Sequence, residues 1–175
     1  MEKESLIHKY LPRYSFREYH EILVDAPIDK VYEEAWDFDL SKSKTISLLF
    51  KLRGLPTKHL NLQNFIGDIG FTNLEARPPH ENLIGFWVRT KILPIPSHGA
   101  FINNSVSPWT KAVWNFQFEE EDSSQTRVST ETRILCVSPI SKISFRLYWW
   151  IIKPFSGLIR KKMLSIIKDG AEKRV

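Results

Sequence analysis

Few residues in this chain of 175 have the type and spacing to do chemistry. The five histidines (His8, His20, His59, His80 and His98) are scattered, and none pairs at metal-ligand spacing. Cys136 is the only cysteine, which excludes an intrachain disulfide, and no CxxC or HExxH occurs. Acid–base work would fall to Asp68, Glu75 or Glu131, the acids on or beside expected strands. In "RVSTETR" the two-residue alternation sets Glu131 on the face opposite Thr130 and Thr132. It then pairs outside with Arg133, Arg127 or a neighbouring strand. The inverted facing would instead make a charged internal site. His80 follows two prolines in a turn and reads as exposed. Cys136 reads as a small core residue with no base beside it.

These residues need a scaffold, and composition bounds it. The length suits one domain with a sizeable core. Hydrophobic residues at 42% and charged residues at 26% are ordinary for a globular protein, while 13% aromatics leave rings to line a cavity or a patch. The net charge is +5. From Ser141 to Val175 nine Lys/Arg face two acids. Charge so confined reads as the solvated face of one helix and argues against a nucleic-acid binder. The charged N-terminus lacks the apolar core of a secretory signal, so the expected compartment is the cytoplasm.

The chain opens with an extension over 1–13, then a strand over Arg17–Val24. "DAPIDKVYEEAW" switches to helical spacing, with Pro27 suited to the first turn. A second helix is expected over about Leu40–Arg53, capped by Asp39 and stopped by Gly54 and Pro56. Strands are expected over Ile66–Ala76, with Gly67 and Gly70 marking a bulge or bend, and over Leu83–Ile92. "LPIPSHGAFINNSVSPW" reads as a long loop with a short strand near Phe101. Two clean strands follow. In the first, Ala112, Trp114, Phe116 and Phe118 share a face against Lys111, Asn115 and Gln117. In the second, Val128, Thr130, Thr132, Ile134 and Cys136 share a face.

A last helix is expected over about Ser141–Glu172. Phe145, Tyr148, Trp149, Ile152, Ile159, Met163, Ile166 and Ile167 form its apolar stripe. Arg146, Lys153 and Arg160 fall mostly outside that stripe and interrupt the run too often for a transmembrane span. Pro154, with Ser156 and Gly157 after it, should kink or break the helix, leaving room for a cavity against the sheet.

The stretches "VDAPIDKVYEEAW", "GFTNLEARPPHENLIG", "KAVWNFQFEE", "TRVSTETRI" and "FRLYWWIIKPFSGLIRKKML" together resemble the START-like helix-grip superfamily, also called SRPBCC. The likeness is to its small uncharacterised bacterial members. The resemblance implies an α+β helix-grip fold: a curved antiparallel sheet, two short helices and a long kinked C-terminal helix over an internal cavity. It implies a single START-like domain over 1–175. It does not imply one activity, because members bind, carry or transform hydrophobic molecules.

On that fold the expected cavity wall is Phe86, Val88, Trp114, Phe116, Thr130 and Thr132 from the sheet, with Tyr148, Trp149 and Ile152 from the helix. Thr130, Thr132 and the Tyr148 hydroxyl are its polar handles. The expected partner is a small hydrophobic ligand, carried without cofactor or metal and without catalytic residues. Two other readings stay open. One is a cyclase- or dehydratase-type enzyme. The other is weak membrane-surface or partner contact, without stable insertion, through the basic helix and Trp150.

Overall fold

The computed structural model describes residues 4–37, 39, 43–52, 66–89, 92–93, 95–103 and 110–173. It is an α+β helix-grip arrangement: one curved antiparallel sheet held against a long C-terminal helix. In chain order the elements are α1 (Leu6–Tyr10), β1 (Phe16–Val24), α2 (Ile28–Asp37), α3 (Lys44–Leu52), β2 (Thr72–Arg77) and β3 (Glu81–Val88). They continue with β4 (Ile92–Leu93), α4 (His98–Asn103), β5 (Thr110–Asp122), β6 (Gln125–Cys136) and α5 (Pro139–Glu172). The strands run in the order β1-β6-β5-β3-β2, and β4 doubles back on β3.

The register decides which side chains share a face. Glu18 lies opposite Thr132, Thr132 opposite Trp114, and Trp114 opposite Ile84. One step along, His20, Thr130, Phe116 and Asn82 form the next cross-strand row. These rows face α5. There Ile159, Met163, Leu164, Ile167 and Ala171 are buried in one core with Val31, Ala35, Trp114, Phe116 and Phe118. Ala112, Trp114, Phe116 and Phe118 therefore share a face, as their alternation requires.

The other sheet face is also covered, which the alternation alone did not disclose. Leu6, Ile7, Tyr10 and Leu11 pack with Phe101 and Ile95 over Leu83, Trp87 and Val113. Each such side chain, once buried, is worth about 1.5–3 kcal/mol. The N-terminal segment is thus an integral layer of the fold. Its helix start is tied to the sheet by Glu81, which accepts from the Leu6 backbone N–H at 2.8 Å, from Ser5 at 2.9 Å and from Asn115 at 2.9 Å. Lys111 on this face donates to the Phe101 carbonyl at 2.5 Å, and burial pushes its ammonium below the usual lysine range.

Several expectations are corrected. Ile66–Gly70 is a helical turn and not the start of a strand. Phe71 N–H bonds to the Ile66 carbonyl, and Gly70 takes φ +78°, a left-handed value open to glycine. The register shift in β2 lies later, between Asn73 and Glu75. The segment around Phe101 is helix α4: Ser97 accepts from the Ala100 N–H at 3.1 Å, and Phe101 is fully buried. The helix starts at Lys44, five residues past the expected cap Asp39, and Ser43 accepts from a backbone N–H of its first turn, that of Ile46 at 3.3 Å. The ends of that expected helix, 40–42 and 53–54, lie outside the described residues, as do Pro56 and His59.

α5 starts earlier than its periodicity suggested. Ser138 and Ser141 exchange reciprocal cap bonds at 3.1 and 3.0 Å, and Pro139 occupies the first turn. The helix then continues through Pro154 without interruption. Gly157 does not mark a break. Strand β1 approaches the helix there, and a Cβ at 157 would sit 3.1 Å from Glu18 Oε1.

Candidate functional site

The two halves of α5 meet the sheet differently. After Gly157, branched and unbranched aliphatic side chains pack directly on the strands. Before it, Phe145 and Trp149 rest on Phe16 at the β1 edge, with ring centroids 5.1 and 6.2 Å away. The sheet offers Thr110, Ala112 and Thr132 below this half, side chains too short to reach up and fill the gap. A cavity of about 570 Å³ is left between sheet and helix. Phe71 stacks on Phe86 across one side, 4.1 Å between centroids and 3° between planes.

Seven of the nine expected wall residues line this space: Phe86, Val88, Trp114, Thr132, Tyr148, Trp149 and Ile152. Tyr148 is also exposed, which places it at the mouth. The other two do not reach the cavity. Phe116 is buried against Trp114, 5.1 Å between centroids, in the core under the second half of α5. Thr130 is engaged within the sheet. Its hydroxyl accepts from Trp114 Nε1 at 2.7 Å and donates to the Asn115 carbonyl at 2.8 Å. It fixes the Trp114 ring instead.

Arg160, expected outside the apolar stripe, lines the cavity. Its Cζ lies 3.7 Å from the Trp114 ring centroid, and its Nη2 donates to Thr132 Oγ1 at 3.2 Å. Thr130 thus holds Trp114, while Trp114 and Thr132 together hold the guanidinium. A stacked guanidinium keeps its planar fork, and a mostly apolar wall raises the strength of any hydrogen bond it makes. Arg89 stands at the exposed rim of the same space. One sequence signal could have found Arg160: it follows Ser156 by four residues and precedes Met163 by three, both cavity-facing.

The acids named from the sequence lie elsewhere. Glu131 points away from α5 and accepts from Arg17 at 2.7 and 3.0 Å and from Arg133 at 2.7 Å. Burial pushes its carboxyl up, but the bonds from the two arginines outweigh burial and hold it below the usual carboxylate range. Glu75 sits under α1, where the hydrogen bond from Lys9 at 2.7 Å lowers it. Asp68 and His80 are exposed. Cys136 is buried, and burial pushes its thiol up.

Glu18 and His20, which no sequence motif singles out, form a pair. Both face α5 on β1, and Glu18 Oε1 meets His20 Nε2 at 3.1 Å. Glu18 Oε2 is buried without a hydrogen-bond partner among the described residues. The pair abuts Gly157 beside the cavity rather than lining it. Among the described lining residues there is no Asp, Glu, His or Cys. The described residues also gather no group of three His, Cys, Asp or Glu that could hold a metal ion.

No family model and no curated protein matches the chain. Solved structures do. The Zhui aromatase/cyclase from Streptomyces sp. R1128 is 12% identical, with 91% of this chain and 94% of that chain covered and a TM-score of 0.38. Norcoclaurine synthase from Thalictrum flavum, in complex with dopamine and hydroxybenzaldehyde, is 13% identical over 99% and 93% of the two chains, with a TM-score of 0.44. A conserved protein from Geobacillus kaustophilus is 11% identical over 90% and 96%, with a TM-score of 0.35.

Proposed function

We propose that this protein binds a small, largely hydrophobic molecule that carries an acidic or oxygen-rich group. The molecule sits between the sheet and the first half of α5, with that group turned toward Arg160. The observation that carries this reading is the cavity of about 570 Å³ beneath Phe145, Trp149 and Ile152. Its size falls inside the range of roughly 300–1,000 Å³ typical of small-molecule sites. Aromatic and aliphatic walls favour an apolar body. Arg160, positioned before any ligand arrives, favours a carboxylate or a cluster of oxygens that can accept from its fork. Arg89 at the rim adds charge of the same sign.

Binding, not acid–base catalysis, is the reading these groups support. The described wall carries two arginines and Tyr148 as its ionisable side chains. Proton transfer at neutral pH is normally performed by a carboxylate or imidazole within reach of the substrate.

The test is displacement of a fluorescent fatty acid, followed by native mass spectrometry. The wild-type chain is expected to take up one probe molecule. Ile152→Trp, which fills the space from the helix side, is expected to abolish uptake while leaving thermal unfolding near wild type. A chain that takes up no probe, or an Ile152→Trp variant that binds as well as wild type, overturns the reading.

A further inference from the structure

The first half of α5 is apolar on two sides. Tyr148, Trp149 and Ile152 face the cavity. Ile140, Ile143, Leu147, Trp150, Ile151 and Leu158 are exposed, Trp150 at 82%. Steps of three or four residues link Ile140 to Ile151, and Leu158 follows seven residues on past the exposed Pro154, so they form one outward stripe, turned away from the cavity-facing one. From 140 to 158 it runs about 27 Å along the helix. An exposed apolar stripe of this length on an element already packed on its other side calls for a covering surface.

The charge beside the stripe says what covers it. Lys142, Arg146 and Lys153 run along one flank, with Lys161 just past its end, and all four are exposed. Among the described residues none of the four takes part in an ion pair. The sequence holds seven Lys/Arg and no acid between 138 and 168. Two such helices would repel each other, which argues against a second copy of the chain. The stripe is a convex helix crest rather than a groove, so it offers no slot for a peptide. A crest of Trp, Ile and Leu with basic side chains long enough to reach back to headgroups matches a lipid interface. Among the described residues no helix is long and apolar enough to cross a membrane, so the contact is with the surface.

We infer that the outward face of α5, from Ile140 to Leu158, docks on an anionic lipid bilayer surface. Trp150 and Leu147 enter the headgroup–acyl boundary, and Lys142, Arg146, Lys153 and Lys161 meet the lipid phosphates. Because α5 also roofs the cavity, docking sets the mouth at Tyr148 close to the bilayer. The inference stands on the exposed face alone and does not depend on what the cavity holds.

Flotation of the full chain with vesicles of phosphatidylcholine, and of phosphatidylcholine mixed with phosphatidylglycerol, tests it without any cavity ligand. Binding is expected to the mixed vesicles, rising with their phosphatidylglycerol content and falling with added salt. Each basic residue removed near such a surface weakens binding about fivefold, so Lys142→Ala/Arg146→Ala is expected to lose twentyfold or more. Leu147→Ser/Trp150→Ser is expected to lose tenfold or more. All these positions are exposed, so both variants should unfold at the wild-type temperature. Failure to float with mixed vesicles overturns the inference. So does flotation indifferent to both variants, or a concentration-dependent dimer in sedimentation that Leu147→Ser/Trp150→Ser abolishes. Capture by an acidic protein with no affinity for lipid overturns it too.

Discussion

The Arg160 guanidinium carbon lies 3.7 Å from the centroid of the Trp114 ring, and the indole N–H of that ring is tied to Thr130 at 2.7 Å. A cation on the last helix is therefore positioned by a central strand, through a residue that never touches the cavity. The relationship sets a positioned guanidinium into the wall of a mostly apolar gap.

Arg160→Met is expected to weaken binding of a naphthyl carboxylic acid by tenfold or more, since a hydrogen bond to a charged group contributes about 1.5–3 kcal/mol. Binding of the matching methyl ester should change little. Titration of both probes by tryptophan quenching reads the difference. Equal losses on acid and ester would show that the residue only fills space.

Gly85→Ala should destabilise the fold by about 1–3 kcal/mol through overpacking. A Cβ there would run into the Leu74 side chain and come within 3.3 Å of Ile95 Cδ1, both in the core under α1. Urea unfolding measures the loss. The double variant Gly85→Ala/Leu74→Ala should lose less than the sum of its parts, because the two side chains compete for one volume.

Glu131 links stability to acid. Its folded-state carboxyl is held below the usual range, with Arg17 and Arg133 outweighing burial. Its contribution is thus complete above the unfolded value near 4.5 and fades as pH falls through the lower folded value. Glu131→Gln should cost about 1.5–3 kcal/mol at neutral pH. It should also flatten the fall in melting temperature below pH 4.5. Scanning calorimetry of both proteins across that range checks the sign and the window.

Ser138→Ala removes the side-chain acceptor for the Ser141 N–H, a loss of about 1 kcal/mol. Fraying should concentrate in the first turn of α5, where Ser141 lines the cavity wall. Hydrogen exchange should show faster exchange at residues 139–143, with the second half of α5 unchanged. Uniform acceleration along the helix would contradict a local cap.

Local periodicity carried much of the fold. The alternation in β5 and β6 set Trp114 and Thr132 on the α5 face and Glu131 on the other, because strand side chains must alternate. The stripe from Phe145 to Ile167 marked α5 as the gripping helix for the same kind of reason. Periodicity could not separate Ile66–Gly70 from the strand after it. That distinction rests on the left-handed turn at Gly70, and the sequence shows glycine but not its φ. Nor could it reveal α4 and α1 as cover for the second sheet face. Leu6, Ile7 and Phe101 are apolar in short segments without a repeat, and their place depends on partners far along the chain.

The cavity divides along the same line. Spacing along one strand or one helix was enough for the faces of β5, β6 and the last helix and for most of the apolar wall. The tertiary structure alone decided the polarity of the site. It withdrew Thr130 and Phe116 to the interior, and it swung Arg160 onto Trp114. Helical position places a long side chain only to within a sector. Where an arginine's guanidinium settles is chosen by the ring and hydroxyl it finds across the interface, and those come from strands packed against it in space.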